Sequence, residues 1–155
     1  MYNLLVAANK DDFQGRPWVL ELGEYWVFGY TAESIEEHYC DLTPENREEL
    51  CGLPAVFAYV GSCDQAVRLG KIENIRTRPS KVRFEYSFIP GLPEIPANRL
   101  PDLEWELDFG EAELRQAIWA VKDVDLRAVL IAGDIVSERQ FAKLPDPYRA
   151  LFQKG

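Results

Sequence analysis

The chain has 155 residues and carries 26 acidic against 17 basic side chains, which gives a formal charge of -9. This length fits one domain, residues 1–155, with a sizeable buried core. The acidic field repels phosphates, so the charge argues against duplex DNA or RNA and against an anionic membrane surface as partner. A hydrophobic fraction of 47% and a charged fraction of 28% exclude wholesale disorder.

Signals for cellular location are few. No apolar run approaches the roughly 20 residues that span a bilayer. The first residues lack the basic region of a signal peptide and predict a strand instead. Cys40, Cys51 and Cys63 form an odd set without a close pair, which is typical of free thiols in a reducing compartment. We therefore expect a cytoplasmic protein without a membrane span.

The first half of the chain has the alternating pattern of β-strands. It predicts strands at residues 4–8, 18–22, 25–30, 54–60, 66–72 and 81–89. Ile72 and Ile75 are out of step with Val67 and Leu69, so a β-bulge is expected near Gly70.

Two short helices are predicted between the third and fourth of these strands. Thr31 is the expected N-cap of the first helix. Thr43 is the expected N-cap of the second, with Pro44 at the first helical position and Gly52 at the end.

The second half of the chain has the pattern of helices. Pro90, Pro93 and Pro96 form a rigid connector, and helices are predicted at residues 100–107, 111–121, 123–132 and 134–144, with Asp123 as the N-cap of the third. A final short turn is expected at 148–152. The fold class is therefore α+β: an N-terminal antiparallel curved sheet or partial barrel of about five or six strands, with C-terminal helices packed on it.

A basic cluster is the strongest functional feature of this acidic chain. Glu73 is the only acid within it. A phosphate-bearing small molecule or an acidic protein surface would suit such a cluster, although a solvated sheet face paired with the chain's own acids explains it without any ligand. The predicted ligand- or partner-binding residues are Arg68, Lys71, Arg76, Arg78, Lys81 and Arg83.

A second group of charged residues admits a catalytic interpretation, as a small hydrolase or transferase. Paired carboxylates one helical turn apart occur in hydrolases. A solvated acidic helix face and helix capping explain the same residues without any ligand. The candidates are Glu104, Asp108, Lys122, Asp123 and Asp125.

Neither a metal nor a cofactor is predicted. His38 and the three cysteines lack the close Cys-x-x-Cys or His-x-x-x-His pair of structural zinc sites. Phosphate-binding loops, dinucleotide fingerprints and nucleophile elbows do not occur in the sequence.

Four segments in the range of roughly residues 26 to 130 are distinctive: Phe28-Gly29-Tyr30-Thr31, Leu53-Pro54-Ala55-Val56-Phe57-Ala58-Tyr59, Arg68-Leu69-Gly70-Lys71-Ile72 and residues 119–126. In this order they resemble an uncharacterised bacterial module associated with conflict and signalling proteins that carry TIR-like effector domains. The pattern of that module has a histidine before a tryptophan, where this chain has Ile118, so any role of that imidazole is lost. The resemblance implies an accessory, non-catalytic part and assigns no catalytic residue.

Three functional hypotheses follow from the sequence. The leading one is a non-enzymatic binding module that uses the basic hairpin and exposed aromatic residues to contact a protein or a phosphate-bearing small molecule. The second is the small hydrolase or transferase. The third is an acidic inhibitor or decoy, which would contact a basic partner through the acidic segments at 31–51 and 100–113. The sequence does not specify an oligomeric state.

Overall fold

The computed structural model describes residues 1–21 and 31–153. Within these residues, six strands form one mixed sheet in the order β2-β5-β4-β3-β1-β6. The strands are β1 (Tyr2–Ala7), β2 (Trp18–Glu21), β3 (Pro54–Tyr59), β4 (Arg68–Arg78), β5 (Lys81–Phe88) and β6 (Ile118–Lys122). The predicted strand at 25–30 lies outside the described residues.

The sheet is open and strongly curved, which confirms the predicted fold class. Neighbouring strands are antiparallel except β1 and β3, which run parallel with Leu5 opposite Phe57. The rings of Phe84 on β5 and Trp119 on β6 lie 4.8 Å apart between centroids, although three strands separate them in the sheet. Right-handed twist and the bulge in β4 produce such curling.

Six α-helices, most of them short, accompany the sheet in the described residues. A 3₁₀ turn precedes α3 directly, and another follows α6. None of these helices is long and apolar enough to span a bilayer. The helices are α1 (Glu33–Tyr39), α2 (Pro44–Cys51), α3 (Glu104–Leu107), α4 (Leu126–Ala132), α5 (Glu138–Ala142) and α6 (Asp146–Arg149).

Each face of the sheet covers its own hydrophobic core. The inner, concave face packs Phe57, Phe84 and Trp119 against the loop before β2 and the helices α1 and α2. The outer face packs residues such as Leu4 and Val56 against the C-terminal helices. Strands β1, β3 and β6 are therefore buried on both faces, as their burial patterns show.

A buried polar residue ties the inner core together. Asn3 on β1 is fully buried, donates to the Leu50 carbonyl at 2.9 Å and accepts from the Trp119 indole at 3.1 Å. Both hydrogen-bonding groups of its amide are thus used, which offsets the cost of burying them.

The predicted helix at 111–121 is wrong. A 3₁₀ turn covers Glu111–Arg115, and strand β6 follows it. In β6, Ile118 and Ala120 face the outer core, whereas Trp119 and Val121 face the inner core. Apolar residues on both faces give a continuous apolar run, which periodicity alone does not separate from a buried helix.

Two of the three predicted N-caps are also wrong. Thr43 caps α2 as expected, since its hydroxyl accepts from the Asn46 amide at 3.1 Å. The Thr31 hydroxyl instead accepts from the Val121 amide at 2.9 Å, and α1 begins after Ala32 without a side-chain cap. Asp123 precedes α4 by too many residues to reach its first turn.

The caps of α4 and α5 explain where these helices begin. Asp125 caps α4 and accepts from the Ala128 amide at 3.1 Å. Ser137 and Gln140 form a capping box at the start of α5, so that helix is shorter than the predicted 134–144. The predicted helix at 100–107 consists of a 3₁₀ turn, Ala97–Leu103, followed by α3.

The predicted bulge in β4 is present, three residues later than expected. The register slips between Ile72 and Asn74. Glycine is required at position 70 for a reason other than the bulge: a Cβ there would lie 2.4 Å from the Ser87 carbonyl oxygen and 2.6 Å from the Phe57 ring. Only glycine lets β4 pass this close to its neighbours.

Candidate functional site

Four cations lie together on the outer face, where β4 ends and β5 begins. We call Arg76, Arg78, Lys81 and Arg83 the basic surface. In the hairpin register Arg76 is opposite Arg83, and Arg78 is opposite Lys81. All four residues are exposed. The two cross-strand pairs therefore each join like charges.

The local sequence dictates this arrangement. A two-residue turn, Pro79 and Ser80, joins β4 to β5. Ile75, Val82 and Phe84 point into the inner core, so strand alternation sends the basic residues to the outer face.

Few carboxylates neutralise the basic surface. Glu85 lies 3.9 Å from Arg76 and 3.8 Å from Arg83, and Glu21 lies 3.8 Å from Lys81. Arg78 makes no ion pair with a carboxylate from the described ranges. Among the residues that the structure describes, four cations against two carboxylates leave a local positive excess in a chain whose formal charge is -9.

A shallow hollow of about 510 Å³ lies over the basic surface. Val19, which is opposite Arg83 on β2 and 47% exposed, contributes an apolar wall. Guanidinium groups bind phosphate and carboxylate through two parallel hydrogen bonds, so three arginines around an apolar wall suit an anionic group.

The other two predicted binding residues lie elsewhere on β4. Arg68 is on the inner side, where its guanidinium donates to the Phe13 carbonyl at 2.5 Å and lies 3.9 Å from the centroid of the Phe88 ring. The bulge after Ile72 inserts one residue, and this places Arg76 on the face opposite to Arg68.

Lys71 lies before the bulge and is paired with Glu73 at 3.2 Å. A hydrogen bond from the Ser87 hydroxyl, 2.6 Å away, lowers the pKa of Glu73, and the hydrogen bond from Lys71 adds to the effect, against a smaller rise from burial. The Ser87 hydroxyl also accepts from Tyr148 at 3.3 Å, which places Lys71 beside the border of the C-terminal helices.

The residues of the catalytic interpretation do not gather in one place. The Lys122 ammonium is buried and lies 3.1 Å from the Glu113 carboxylate. Burial raises the pKa of Glu113, and Lys122 partly offsets this rise. Asp125 caps α4, as described above.

Asp123 and Asp125 border a hollow of about 460 Å³ beside Tyr39 and Glu49. Burial, followed by the hydrogen bond with Glu49, raises the pKa of Tyr39 to about 12, so this phenol stays protonated at neutral pH. Glu104, Asp108 and Lys122 are not part of the hollow's lining, so it unites two of the five candidates.

The described residues form neither a metal site nor an activated thiol. No group of three or more His, Cys, Asp or Glu side chains there is placed to hold a metal ion. The cysteines are free thiols. Burial raises the pKa of Cys51 to about 11, so this thiol is protonated at neutral pH and is a poor nucleophile.

Trp105 is a feature whose importance the sequence analysis missed. Its side chain is 93% exposed on α3, between Glu104 and Glu106. The spacing of Leu100, Leu103 and Leu107 marks the buried face of this segment, and Trp105 falls off that face. That mismatch is the signal that could have identified it.

Comparisons with protein-family models, with curated proteins and with solved structures found no match to this chain.

Proposed function

We propose that this protein is a non-enzymatic binding module whose basic surface binds an anionic group. The observation that carries the proposal is the pairing of like charges, Arg76 with Arg83 and Arg78 with Lys81. Like charges directly opposite each other destabilise a sheet. A bound anion relieves this repulsion, whereas an unliganded surface would gain stability from mixed charges.

The ligand classes that fit are an acidic surface of a protein partner and a phosphate-bearing small molecule. Arginine provides three of the four cations, and its planar fork matches both carboxylate and phosphate. The exposed Val19 wall adds apolar contact beside the charges. A duplex nucleic acid remains a poor candidate, since it would meet the repulsion of the whole chain.

A charge-reversal pair tests the proposal. Arg76→Glu with Arg78→Glu reverses the basic surface and changes the net charge by four units. Arg139→Glu on α5 with Lys143→Glu at its C-cap, together the α5 variant, makes the same change at exposed residues away from the basic surface. Partners captured by the immobilised wild-type protein should be lost with the first variant and retained with the second.

A defined probe gives a second measurement. In a titration with inorganic pyrophosphate, the backbone amide signals of β4 and β5 around the basic surface should shift in the NMR spectrum of the wild type and of the α5 variant, but not of the Arg76/Arg78 variant. Should the folded Arg76/Arg78 variant keep every captured partner and the same pyrophosphate shifts, the basic surface is not the contact.

The biological setting is part of the same proposal. The resemblance to the bacterial module beside TIR-like effectors supports an accessory role in a conflict or signalling system. The three free thiols support a reducing, cytoplasmic location. Co-expression with a TIR-like effector protein, followed by co-purification through either chain, tests this setting, and the Arg76→Glu, Arg78→Glu variant should break the complex.

A further inference from the structure

Trp105 stands apart from the other tryptophans that the structure describes. Its side chain is 93% exposed, whereas Trp18 and Trp119 are 5% and 1% exposed. An indole is the largest apolar side chain, and tryptophan is enriched among the residues that dominate binding energy at protein interfaces. A solvated, fully displayed indole therefore suggests that a partner covers it.

The backbone beneath Trp105 is held in place from both sides. Leu103 and Leu107 are buried in the outer core. The Tyr2 hydroxyl donates to the Leu107 carbonyl at 2.6 Å. The helix then ends in a left-handed residue, Asp108, whose φ is 58°, and buried Phe109 donates its amide to the Glu104 carbonyl at 3.1 Å. Because this backbone is already fixed, the segment loses little conformational entropy when a partner binds to the ring.

The acidic residues next to Trp105 in sequence indicate that a partner would carry positive charge. Glu104, Glu106 and Asp108 make no ion pair within the described part of the chain. Two flanking acids differ in this respect: Asp102 lies 3.5 Å from Arg99, and Glu111 lies 3.3 Å from Arg115. Three carboxylates without an ion pair in the described residues thus lie within three positions of Trp105 in sequence.

We infer that the Trp105 turn, which consists of Glu104, Trp105, Glu106 and Asp108, docks a basic, arginine-containing segment of another protein. A guanidinium stacks on an indole face and donates hydrogen bonds from its edge to flanking carboxylates, and arginine does this more often than lysine. The acidic field of the whole chain also favours the approach of a basic segment. This surface shares no residue with the basic surface, so the inference does not rest on the proposed function.

Peptide titration by isothermal calorimetry tests the inference. The probes are three nine-residue peptides in which glycine alternates with arginine, with lysine or with glutamate. The arginine peptide should bind most tightly, the lysine peptide more weakly and the glutamate peptide not at all. Trp105→Ala should weaken the arginine peptide by about tenfold, a typical loss for a central aromatic anchor. The Trp105→Ala protein is expected to stay folded, because the ring is exposed.

A matched pair of variants separates docking from general attraction. Glu106→Gln with Asp108→Asn removes two charges beside Trp105, and the asparagine tolerates the left-handed backbone. Glu36→Gln with Glu37→Gln removes two charges from α1, where both side chains are exposed. The first pair should weaken the arginine peptide severalfold, and the second should leave it nearly unchanged at physiological salt.

Three results would overturn the inference. The first is equal affinity of the wild type and Trp105→Ala for the arginine peptide. The second is equal weakening by both pairs of charge variants, which would mean attraction to the whole chain. The third is self-association in sedimentation that Trp105→Ala abolishes, since a second copy would then be the occupant.

Discussion

Charge reversal at Arg78 should make the protein more stable and less able to bind. Arg78 is directly opposite Lys81, and both side chains are exposed. Arg78→Glu replaces a like-charge pair with an opposite-charge pair. Cross-strand pairs contribute about 0.2–1 kcal/mol, and like pairs are unfavourable. Because exposed charges are screened and Lys81 already has Glu21 at 3.8 Å, we expect a gain of about 0.5–1 kcal/mol.

This gain is measurable by thermal unfolding. For a chain of this length, 1 kcal/mol moves Tm by roughly 2–4 °C, so Arg78→Glu should raise Tm by about 1–4 °C at low salt. Arg78→Gln removes the repulsion without adding attraction, so its gain should be about half as large. At 1 M salt, where the screening length is about 3 Å, the difference between the two variants should vanish.

The same variants should lose the pyrophosphate-induced NMR shifts described above, which would separate function from stability. A Tm for Arg78→Glu at or below that of the wild type at low salt would refute the reasoning. In that case the cross-strand cations do not strain the hairpin, and the main observation behind the proposed function loses its meaning.

Three further predictions concern particular residues. Asp125→Ala should cost about 1 kcal/mol of the free energy of unfolding while Asp123→Ala changes little, because only Asp125 caps α4; equal melting curves would contradict this. Gly70→Ala should lower stability by about 1–3 kcal/mol in chemical denaturation, since its Cβ would collide with a backbone carbonyl; a neutral result would count against the close strand approach. Ser87→Ala should raise the pKa of Glu73 in an NMR titration, because the hydrogen bond that lowers it is removed. In the wild type this carboxylate stabilises the fold above the usual glutamate pKa, and the stabilisation is lost as pH falls through the lower, folded-state pKa, so the variant should lose part of it. An unchanged pKa would exclude the hydrogen bond as its cause.

Local patterns predicted the elements that have one solvated face. The alternation at 81–89 gave β5 within one residue of its observed end, because its polar side faces water. The Thr43 cap and Pro44 gave the start of α2. Strand β3 is also buried on both faces, and it was predicted because Pro54 and Gly61 bound its apolar run. Strand β6 was missed because Leu114, Ile118 and Val121 have helical spacing and a strand buried on both faces shows no alternation to oppose it. The Asp123 error is smaller: two aspartates precede α4, and only the backbone decides which one caps it.

The candidate site was predicted in part for the same reason. Arg76, Arg78, Lys81 and Arg83 follow from a hairpin register that the turn fixes locally. The position of Arg68 depends on a bulge and on a contact with Phe13, which are not visible in a local pattern. The exposure of Trp105 depends on which of its neighbours are buried in the outer core, and this is decided by tertiary packing.

The pairing of β1 with β6 has a consequence for how the chain folds. Residues joined across it, such as Asn3 and Trp119, are 116 positions apart in sequence, whereas the β4–β5 hairpin closes over a two-residue turn. Contacts of such long range form slowly, because a large loop must close first. During synthesis β1 is therefore complete long before β6 exists, and the backbone N–H and C=O groups on that edge of β1 stay unpaired in the meantime. The hairpin can form early on the ribosome, but the sheet acquires its last strand only after residue 122 has emerged.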